Sequence, residues 1–341
     1  MGRPTIDDIA RKVGVSRGAV SFALNGRPGV SEETRARILA AAEEMNWSPH
    51  SAARALGGAR AQAAGLVIAR PARTIGVEPF FAHLLSGLQA GLSARGVALH
   101  LLVVEDTAAE IEVYRGWARE HRVDGFILVD LQVSDPRIAV IEELGVPAVV
   151  LGGPGRHGTL SSVWADDREA MLSIADYLAA LGHTRVAHVA GLPGFRHTQR
   201  RIRALRDASR RLGLAEVLSV PTDFSDAEGA AATRSLLSRA ARPSAIVYDS
   251  DVMAVAGLGV AAEMGVRVPR ELSIVAFDDS VLNRIVHPAL TALSRDTFTL
   301  GEKVAETLLA TLEEPSRPRD VKTPTPRLTV RESTAPAAKG V

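Results

Sequence analysis

From residue 64 onward, short apolar runs alternate with longer stretches of helical periodicity, and this alternation constrains the fold most strongly. It predicts parallel sheets covered by helices on both faces, with enough strands for two doubly wound lobes. Ligands of such sheets bind beyond the carboxyl ends of the strands, so residues that directly follow a strand are candidate binding residues. The predicted strands are 65–69, 98–104, 125–129, 148–151, 186–190, 245–248 and 273–277, and the predicted helices include 82–94, 167–181 and 200–212.

Composition narrows the class of protein. A chain of 341 residues has room for two or three domains, and its lack of cysteine excludes disulfides and thiolate metal sites. No apolar run is long enough to span a bilayer and the N-terminus shows no signal-peptide pattern, so we expect a cytoplasmic protein without a membrane partner. Residues 1–60 carry nine Lys or Arg against six Asp or Glu, whereas the remainder carries 31 against 33. This modest basic excess favours DNA binding by the N-terminus.

Two short helical patterns with a tight break lie at the N-terminus. Thr5 can cap a helix over residues 6–13, Gly14 ends it, and Ser16 can cap a second helix over residues 17–24. Two helices joined by a short turn that contains glycine are typical of the helix-turn-helix, whose second helix enters the DNA major groove. A third helical pattern follows Ser31. A helical cap without any ligand is the alternative interpretation of the same spacing.

The amino-acid sequence resembles that of the LacI/GalR family of bacterial repressors. The segments TIDDIARKVGVS, AVSFALN, GRPGVSEETRARILAAAEE and SPHSAARAL stand in family order, and LGHTRVAHVAG, SAIVYDSDVMAVAGL, VRVPRELSIVAFDDS and LTALSRDTFTLGEKVAETLL resemble the family's core. The resemblance implies an α/β fold class: a small all-α head and a two-lobed periplasmic-binding-protein-like core, each lobe a doubly wound parallel sheet. The implied segments are a helix-turn-helix head over 1–48, a hinge helix over 49–60, an effector-binding and dimerisation core over 61–332, and a disordered tail over 333–341.

The resemblance also assigns DNA-binding residues. Arg17 and Gly18 occupy the positions that read bases, and Leu56 matches a leucine that wedges into the minor groove. Phe22 stands where the family commonly has arginine, so the operator sequence of relatives does not carry over. The full predicted set is Thr5, Ser16, Arg17, Gly18, Ser21, Phe22, Asn25, Arg54 and Leu56.

A second set of residues matches the family's effector site. Carboxylates accept hydrogen bonds from hydroxyls, arginine donates two, and an aromatic ring covers an apolar sugar face. For the aspartates, a helix N-cap is the alternative role, and Arg200 is the alternative to Arg201. The predicted effector-binding residues are Phe81, Asp166, Arg201, Phe224, Asp251 and Asp278.

The resemblance therefore implies a homodimeric transcription repressor that binds a pseudo-palindromic double-stranded operator and responds to a small molecule, a sugar or sugar derivative. It also implies a bacterial protein that is associated with the nucleoid. No cofactor and no metal are expected. An activator or dual regulator would bind DNA in the same way. An enzyme on a doubly wound fold is the rival class, but the sequence lacks a glycine-rich phosphate-binding motif, a G-x-S-x-G elbow and a zinc spacing.

Overall fold

The computed structural model describes residues 4–24, 26–47, 60–71, 75–155 and 157–338. The chain divides into two compact units, Met1–Ala61 and Gln62–Val341. The first unit contains three helices: α1 (Ile6–Val13), α2 (Arg17–Leu24) and α3 (Glu32–Glu44). The bounds of α1 and α2 are those predicted from the sequence. No helix of the described ranges is long and apolar enough to cross a membrane.

The head is built by its caps and by a small core. Thr5 and Asp8 form a capping box at the start of α1, and Gly14 ends the helix with a φ of 74°. The Nη2 atom of Arg37 donates to the carbonyl of Val13 (2.8 Å), which is the last residue of α1. Arg35 likewise donates to the carbonyl of Ala23 near the end of α2 (3.0 Å). The buried core of the head consists of Ile9, Ala10, Val13, Val20, Ala23, Ile38, Ala41 and Ala42.

The second unit contains two six-stranded sheets and the helices that cover them. Its strands in chain order are β1 (Ala63–Ala69), β2 (Ala98–Val104), β3 (Gly125–Leu128), β4 (Ala148–Leu151), β5 (Ser161–Trp164), β6 (Arg185–Ala190), β7 (Glu216–Pro221), β8 (Ala245–Tyr248), β9 (Ser273–Ala276), β10 (Thr291–Ser294), β11 (Asp320–Lys322) and β12 (Arg327–Thr329). Its helices are α4 (Pro79–Ser93), α5 (Thr107–Arg119), α6 (Pro136–Leu144), α7 (Asp167–Ala180), α8 (Arg196–Leu212), α9 (Asp226–Leu237), α10 (Asp251–Glu263), α11 (Val281–Ile285) and α12 (Thr297–Glu313).

Each sheet belongs to one lobe. In the first lobe the strand order is β11-β5-β4-β3-β1-β2 and all pairs are parallel. In the second lobe the order is β12-β10-β9-β8-β6-β7, and only the edge strand β12 is antiparallel to its neighbour. The chain reverses direction across the first sheet between β1 and β3, and across the second between β6 and β8. Such switch points leave a crevice beyond the strand ends in which ligands bind.

The chain passes between the lobes three times: after β5, after β10 and between β11 and β12. After the second passage α12 returns to the first lobe and packs along α4, with Leu84 and Leu88 of α4 in one core cluster with Leu300 and Val304. Glycines bring the two helices close, because a Cβ atom on Gly87 would overlap the carbonyl oxygen of Phe298.

The structure corrects several expectations. The strands β5, β7, β10, β11 and β12 were not among those predicted, and α8 begins one turn earlier than expected. The predicted disordered tail is wrong for residues 333–338. Ser333 is fully buried and donates to the carbonyl of Ile274 (2.6 Å), and the amide of Ala337 donates to Leu181 (2.8 Å). Asn25, Arg54, Leu56 and nearly all of the predicted hinge lie outside the described residues.

The substitution Gly87→Ala should destabilise the core by about 1–3 kcal/mol, because the added methyl group overlaps backbone of α12 that cannot move independently. Gly116→Ala is the matched control, since Gly116 lies within α5 and a Cβ there meets no atom within 4 Å. The control should keep or raise stability by up to about 1 kcal/mol. Thermal unfolding of both variants tests this, and equal stability would contradict the packing argument.

Candidate functional site

A cavity lies between the two lobes, beyond the carboxyl ends of strands from both sheets. It contains about 950 Å³ of empty space, a volume that includes its opening to solvent. The first lobe contributes Arg70 and Asp130, which follow β1 and β3, and the second lobe contributes Asp249, which follows β8. Both switch points therefore face the cavity, as the topology requires.

A buried arginine joins the lobes at this cavity. The Nε atom of Arg70 donates to Asp130 (2.6 Å) and Nη1 donates to Glu78 (3.1 Å), both in the first lobe. Its guanidinium also lies 4.5 Å from the ring centroid of Phe224 and 5.0 Å from that of Phe195, which belong to the second lobe. Cation–π contacts of this kind strengthen when solvent is excluded.

Phe224 is held in place by backbone geometry. It has a φ of 71°, which is uncommon for a bulky residue and costs about 1–3 kcal/mol. Its ring occupies the space that a side chain at Gly191 would fill, since a Cβ atom there would overlap the ring. Because of this overlap, only glycine at position 191, directly after β6, leaves room for the aromatic ring on the wall of the cavity. Such a surface suits the apolar face of a sugar.

A network of buried charges forms the floor in the second lobe. Asp249 accepts hydrogen bonds from the Nε2 atom of His188 (2.9 Å) and the amide of Gly191 (2.8 Å), and it pairs with Arg201 (3.1 Å). Burial alone would raise the pKa of Asp249, but Arg201 and His188 hold it below its usual range. Arg201 also pairs with Asp167 (3.3 Å) and lies over the ring of Phe277 (3.7 Å). This arginine is therefore fixed while it lines the cavity.

Two carboxyl groups of the cavity have pKa values close to neutral pH. Burial raises the pKa of Asp251 to about 6, with a further contribution from Asp278. Burial also raises the pKa of Glu78 to about 8, because the attraction to Arg70 is outweighed by burial and by neighbouring carboxylates. Protonated Glu78 still accepts a hydrogen bond from Arg70. These groups can accept from or donate to ligand hydroxyls.

Four of the six predicted effector-binding residues line the cavity: Arg201, Phe224, Asp251 and Asp278. The other two predicted residues do not line the cavity, but in each case a residue one position away in the sequence does. Phe81 is buried in the core of the first lobe, whereas its neighbour Phe80 lines the cavity. Asp166 caps α7 and pairs with Lys322 (3.2 Å), whereas Asp167 lines the cavity.

Several lining residues were not predicted, among them Arg70, Glu78, Phe80, Asp130, Trp164, Arg196, His197 and Arg295. The rule that residues after strands bind ligands could have found Arg70 and Asp130, since each directly follows a predicted strand. The described residues contain no cluster of side chains suited to a metal ion.

The head presents a second candidate surface. On α2, Val20 and Ala23 face the core, while Arg17, Gly18 and Phe22 are exposed and Ser21 is half-buried. Arg17 makes only a loose contact with Asp7 (3.7 Å).

Two predicted residues of the head cap helices. The hydroxyl of Thr5 accepts from the amide of Asp8 (3.3 Å), and that of Ser16 accepts from Ala19 (3.1 Å). Phe22 packs against Gly29 and is 42% exposed. The caps therefore fix a helix whose outer face carries Arg17.

Known protein families match both the head and the second unit of the chain. The profile of bacterial regulatory proteins of the lacI family matches residues 5–50, and that of the periplasmic binding protein-like domain matches residues 175–334. The HTH-type transcriptional regulator CelR of Thermobifida fusca is 32% identical over 311 residues, which cover 90% of this chain and 91% of the relative. This chain belongs to the LacI family of bacterial transcriptional regulators. The predicted resemblance, the fold class and the helix-turn-helix head are thereby confirmed.

Further relatives fit the same family. The HTH-type transcriptional repressor PurR of Erwinia tasmaniensis is 29% identical, over 89% of each chain. The solved structure of a complex of the transcriptional regulator CelR with cellobiose is 30% identical and has a TM-score of 0.74, covering 97% of this chain and all of that one. As a LacI-family member, the chain is a DNA-binding transcription regulator with a helix-turn-helix head and an effector-binding core.

The substitution Glu78→Gln should change how stability depends on pH. The folded protein holds a proton on Glu78 up to about pH 8, whereas the unfolded chain releases it near its usual pKa of 4.5. Stability contributed by that proton is therefore lost as pH rises through this window. Glutamine does not titrate, so the variant should gain stability relative to the original protein between about pH 5 and about pH 8.

Thermal unfolding of the unliganded protein at both ends of the window measures this gain. Glu112→Gln is the control, because Glu112 is exposed and its carboxylate pairs only at the surface with Arg115. A difference in melting temperature between Glu78→Gln and the original protein that stays constant with pH would contradict the assignment.

Proposed function

We infer that this protein is a homodimeric repressor whose affinity for a pseudo-palindromic operator is controlled by a sugar in the cavity between its lobes. The observation that carries the proposal is the composition of this cavity. Carboxyl groups, fixed guanidinium groups and the ring of Phe224 converge there from two lobes, and these are the groups that recognise a polyol. The relative CelR, whose structure contains cellobiose, has the same architecture over nearly its whole length.

The mechanism follows from the closed cleft. A ligand changes the balance between conformations only if it binds one of them more tightly. A sugar that contacts Phe80 and Asp130 in the first lobe, and Phe224 and Asp251 in the second, binds tightly only when the lobes are closed on it. Because coupling between sites is reciprocal, operator DNA must change sugar affinity by the same factor. The proposed role is therefore control of transcription and not turnover of the sugar. It would be exerted on chromosomal DNA in the cytoplasm.

Exposed apolar residues support the homodimer. Val281 and Ile285 of α11 are 52% and 63% exposed. Val286 directly follows Ile285 in the chain and lines an apolar groove with Leu258 and Val266, among other residues. Apolar surface of this kind marks an interaction site, and symmetric dimers bury the same patch on both chains. Sedimentation as a monomer at micromolar concentration would contradict this part of the proposal.

The substitution Arg17→Gln should relax the preference for the operator over other DNA sequences by about 1–3 kcal/mol, because a bidentate arginine–guanine contact is lost. Arg11→Gln is the control, since Arg11 is an exposed arginine of α1 that pairs with Asp8 and lies outside the α2 face. Competition binding with operator and scrambled DNA at several salt concentrations measures both effects. If Arg17→Gln weakens binding to all sequences equally, Arg17 contacts phosphate and bases are read elsewhere.

The substitution Asp251→Asn should weaken sugar binding about 10- to 100-fold, because a charged acceptor for sugar hydroxyls is lost. Operator binding without sugar should remain. Asp226→Asn is the control, because Asp226 also lies in the first turn of a helix but is exposed and does not line the cavity. Thermal shifts with a panel of mono- and disaccharides, followed by operator release with those that bind, measure the effect. Unchanged sugar affinity in Asp251→Asn would remove this residue from the site.

A further inference from the structure

Two arginines of the cavity, Arg196 and Arg200, form a feature that the proposed function does not use. Both are half-buried and both line the cavity at the start of α8. They are four residues apart, which places them side by side on one face of the helix. Like charges at this spacing repel, and burial together with Arg196 lowers the pKa of Arg200. The sequence therefore places two positive charges side by side, where they repel each other.

Neither arginine forms an ion pair with any residue that the structure describes. The Nη1 atom of Arg196 donates to Nδ1 of His157 (3.0 Å), and the Nη2 atom of Arg200 donates to the carbonyl of Pro154 (2.8 Å). Both acceptors are uncharged, because burial and Arg196 lower the pKa of His157. A guanidinium has five N–H donors, so most donors of both groups remain available.

The other charges near this pair are already balanced. Asp167 pairs with Arg201 (3.3 Å), and Asp166 pairs with Lys322 (3.2 Å). Arg295, a further arginine of the cavity, pairs with Asp278 (2.6 Å). Among the arginines that line the cavity, Arg196 and Arg200 are therefore the two without a carboxylate partner among the described residues.

A buried donor next to the pair also lacks a partner. Arg201 is only 5% exposed and lines the cavity, and its Nε atom has no hydrogen-bond partner among the described residues. Buried polar groups are nearly always hydrogen-bonded in folded proteins, so an unpaired donor in a ligand cavity points to an acceptor on the ligand.

The carboxyl groups of the cavity form a cluster that is separate from the arginine pair. Glu78, Asp251 and Asp278 are close enough that the last two raise the pKa of Glu78. A ligand that fits both groups has hydroxyls toward these carboxyls and a negative charge toward the arginines. Carboxylate and phosphate are the anions that match the planar fork of arginine.

We propose that the effector is an acidic sugar, with a carboxylate or a phosphate that binds to Arg196 and Arg200. This inference rests on the proposed function and narrows the sugar to one chemical class. The anion neutralises the repulsion within the pair, and the two arginines of α8 in the second lobe contact Pro154 and His157 of the first lobe. The charge therefore adds to closure of the cleft as well as to affinity.

The test compares acidic and neutral sugars on the full-length protein by calorimetry and thermal shift. The probes are glucuronate, gluconate and glucose 6-phosphate, with glucose, cellobiose and inorganic phosphate beside them. At least one acidic probe should bind more tightly than its neutral counterpart and release operator DNA. Its affinity should fall tenfold or more in Arg196→Gln and in Arg200→Gln, and with rising salt. Arg200→Lys should retain part of the affinity, because it keeps the charge but not the fork.

Arg206→Gln is the matched control, since Arg206 is an exposed arginine of the same helix that does not line the cavity. It should leave the affinity unchanged. Binding of a neutral sugar that is equal to or tighter than that of every acidic probe, and unaffected by both glutamine variants, would overturn the inference but leave the proposed function intact. Equal stabilisation by inorganic phosphate alone would also overturn it, since the site would then hold a simple anion. A protein that responds to no sugar contradicts the proposed function itself.

Discussion

One buried guanidinium contacts both lobes at the wall of the cavity. Arg70 belongs to the first lobe, where Asp130 balances its charge and Glu78 accepts a further hydrogen bond, and it contacts the rings of Phe195 and Phe224 in the second lobe. A buried charge without a partner costs several kcal/mol, so the carboxylate of Asp130 is needed for Arg70 to lie there. The contact with the rings contributes only about 0.5–2 kcal/mol. This contact is small enough that a ligand which binds one conformation more tightly can outweigh it.

The strands that are buried on both faces of a sheet could be predicted from the sequence. β3, β8 and β9 are wholly buried and appear as continuous apolar runs, so periodicity identifies them. β7 has the sequence EVLSVP and is half-buried, and β11 and β12 have three residues each, so none of them gives a comparable pattern. The first turn of α8 was missed for a related reason, since Phe195 provides no side-chain cap and RHTQ has no apolar periodicity.

The site was predictable where position after a strand decides the role, and less so where side-chain direction decides it. Asp251 and Asp278 follow β8 and β9 within a few residues, and both line the cavity. Phe80 and Phe81 are neighbours on one helix and point about 100° apart, so an error of one position exchanges a cavity residue for a core residue. The partnership of Arg70 with Asp130 joins residues 60 positions apart. No local pattern encodes such a pair, because it exists only once the sheet has formed.

The abundance of arginine concealed these roles, and the structure separates them by what each guanidinium contacts. Some arginines stabilise the fold, as Arg35 and Arg37 do by donating to the carbonyls near helix ends. Others are neutralised within the cavity, and Arg201 is fixed there by Asp167 and Asp249. A charge that is balanced within the protein holds its shape, and a charge left unbalanced near a surface or a cavity is available to a partner. By this criterion the loosely paired Arg17 of the head faces DNA. The arginines at the start of α8, which form no ion pair with a described residue, face the effector. In the function proposed for this chain, both of these ligands carry negative charge.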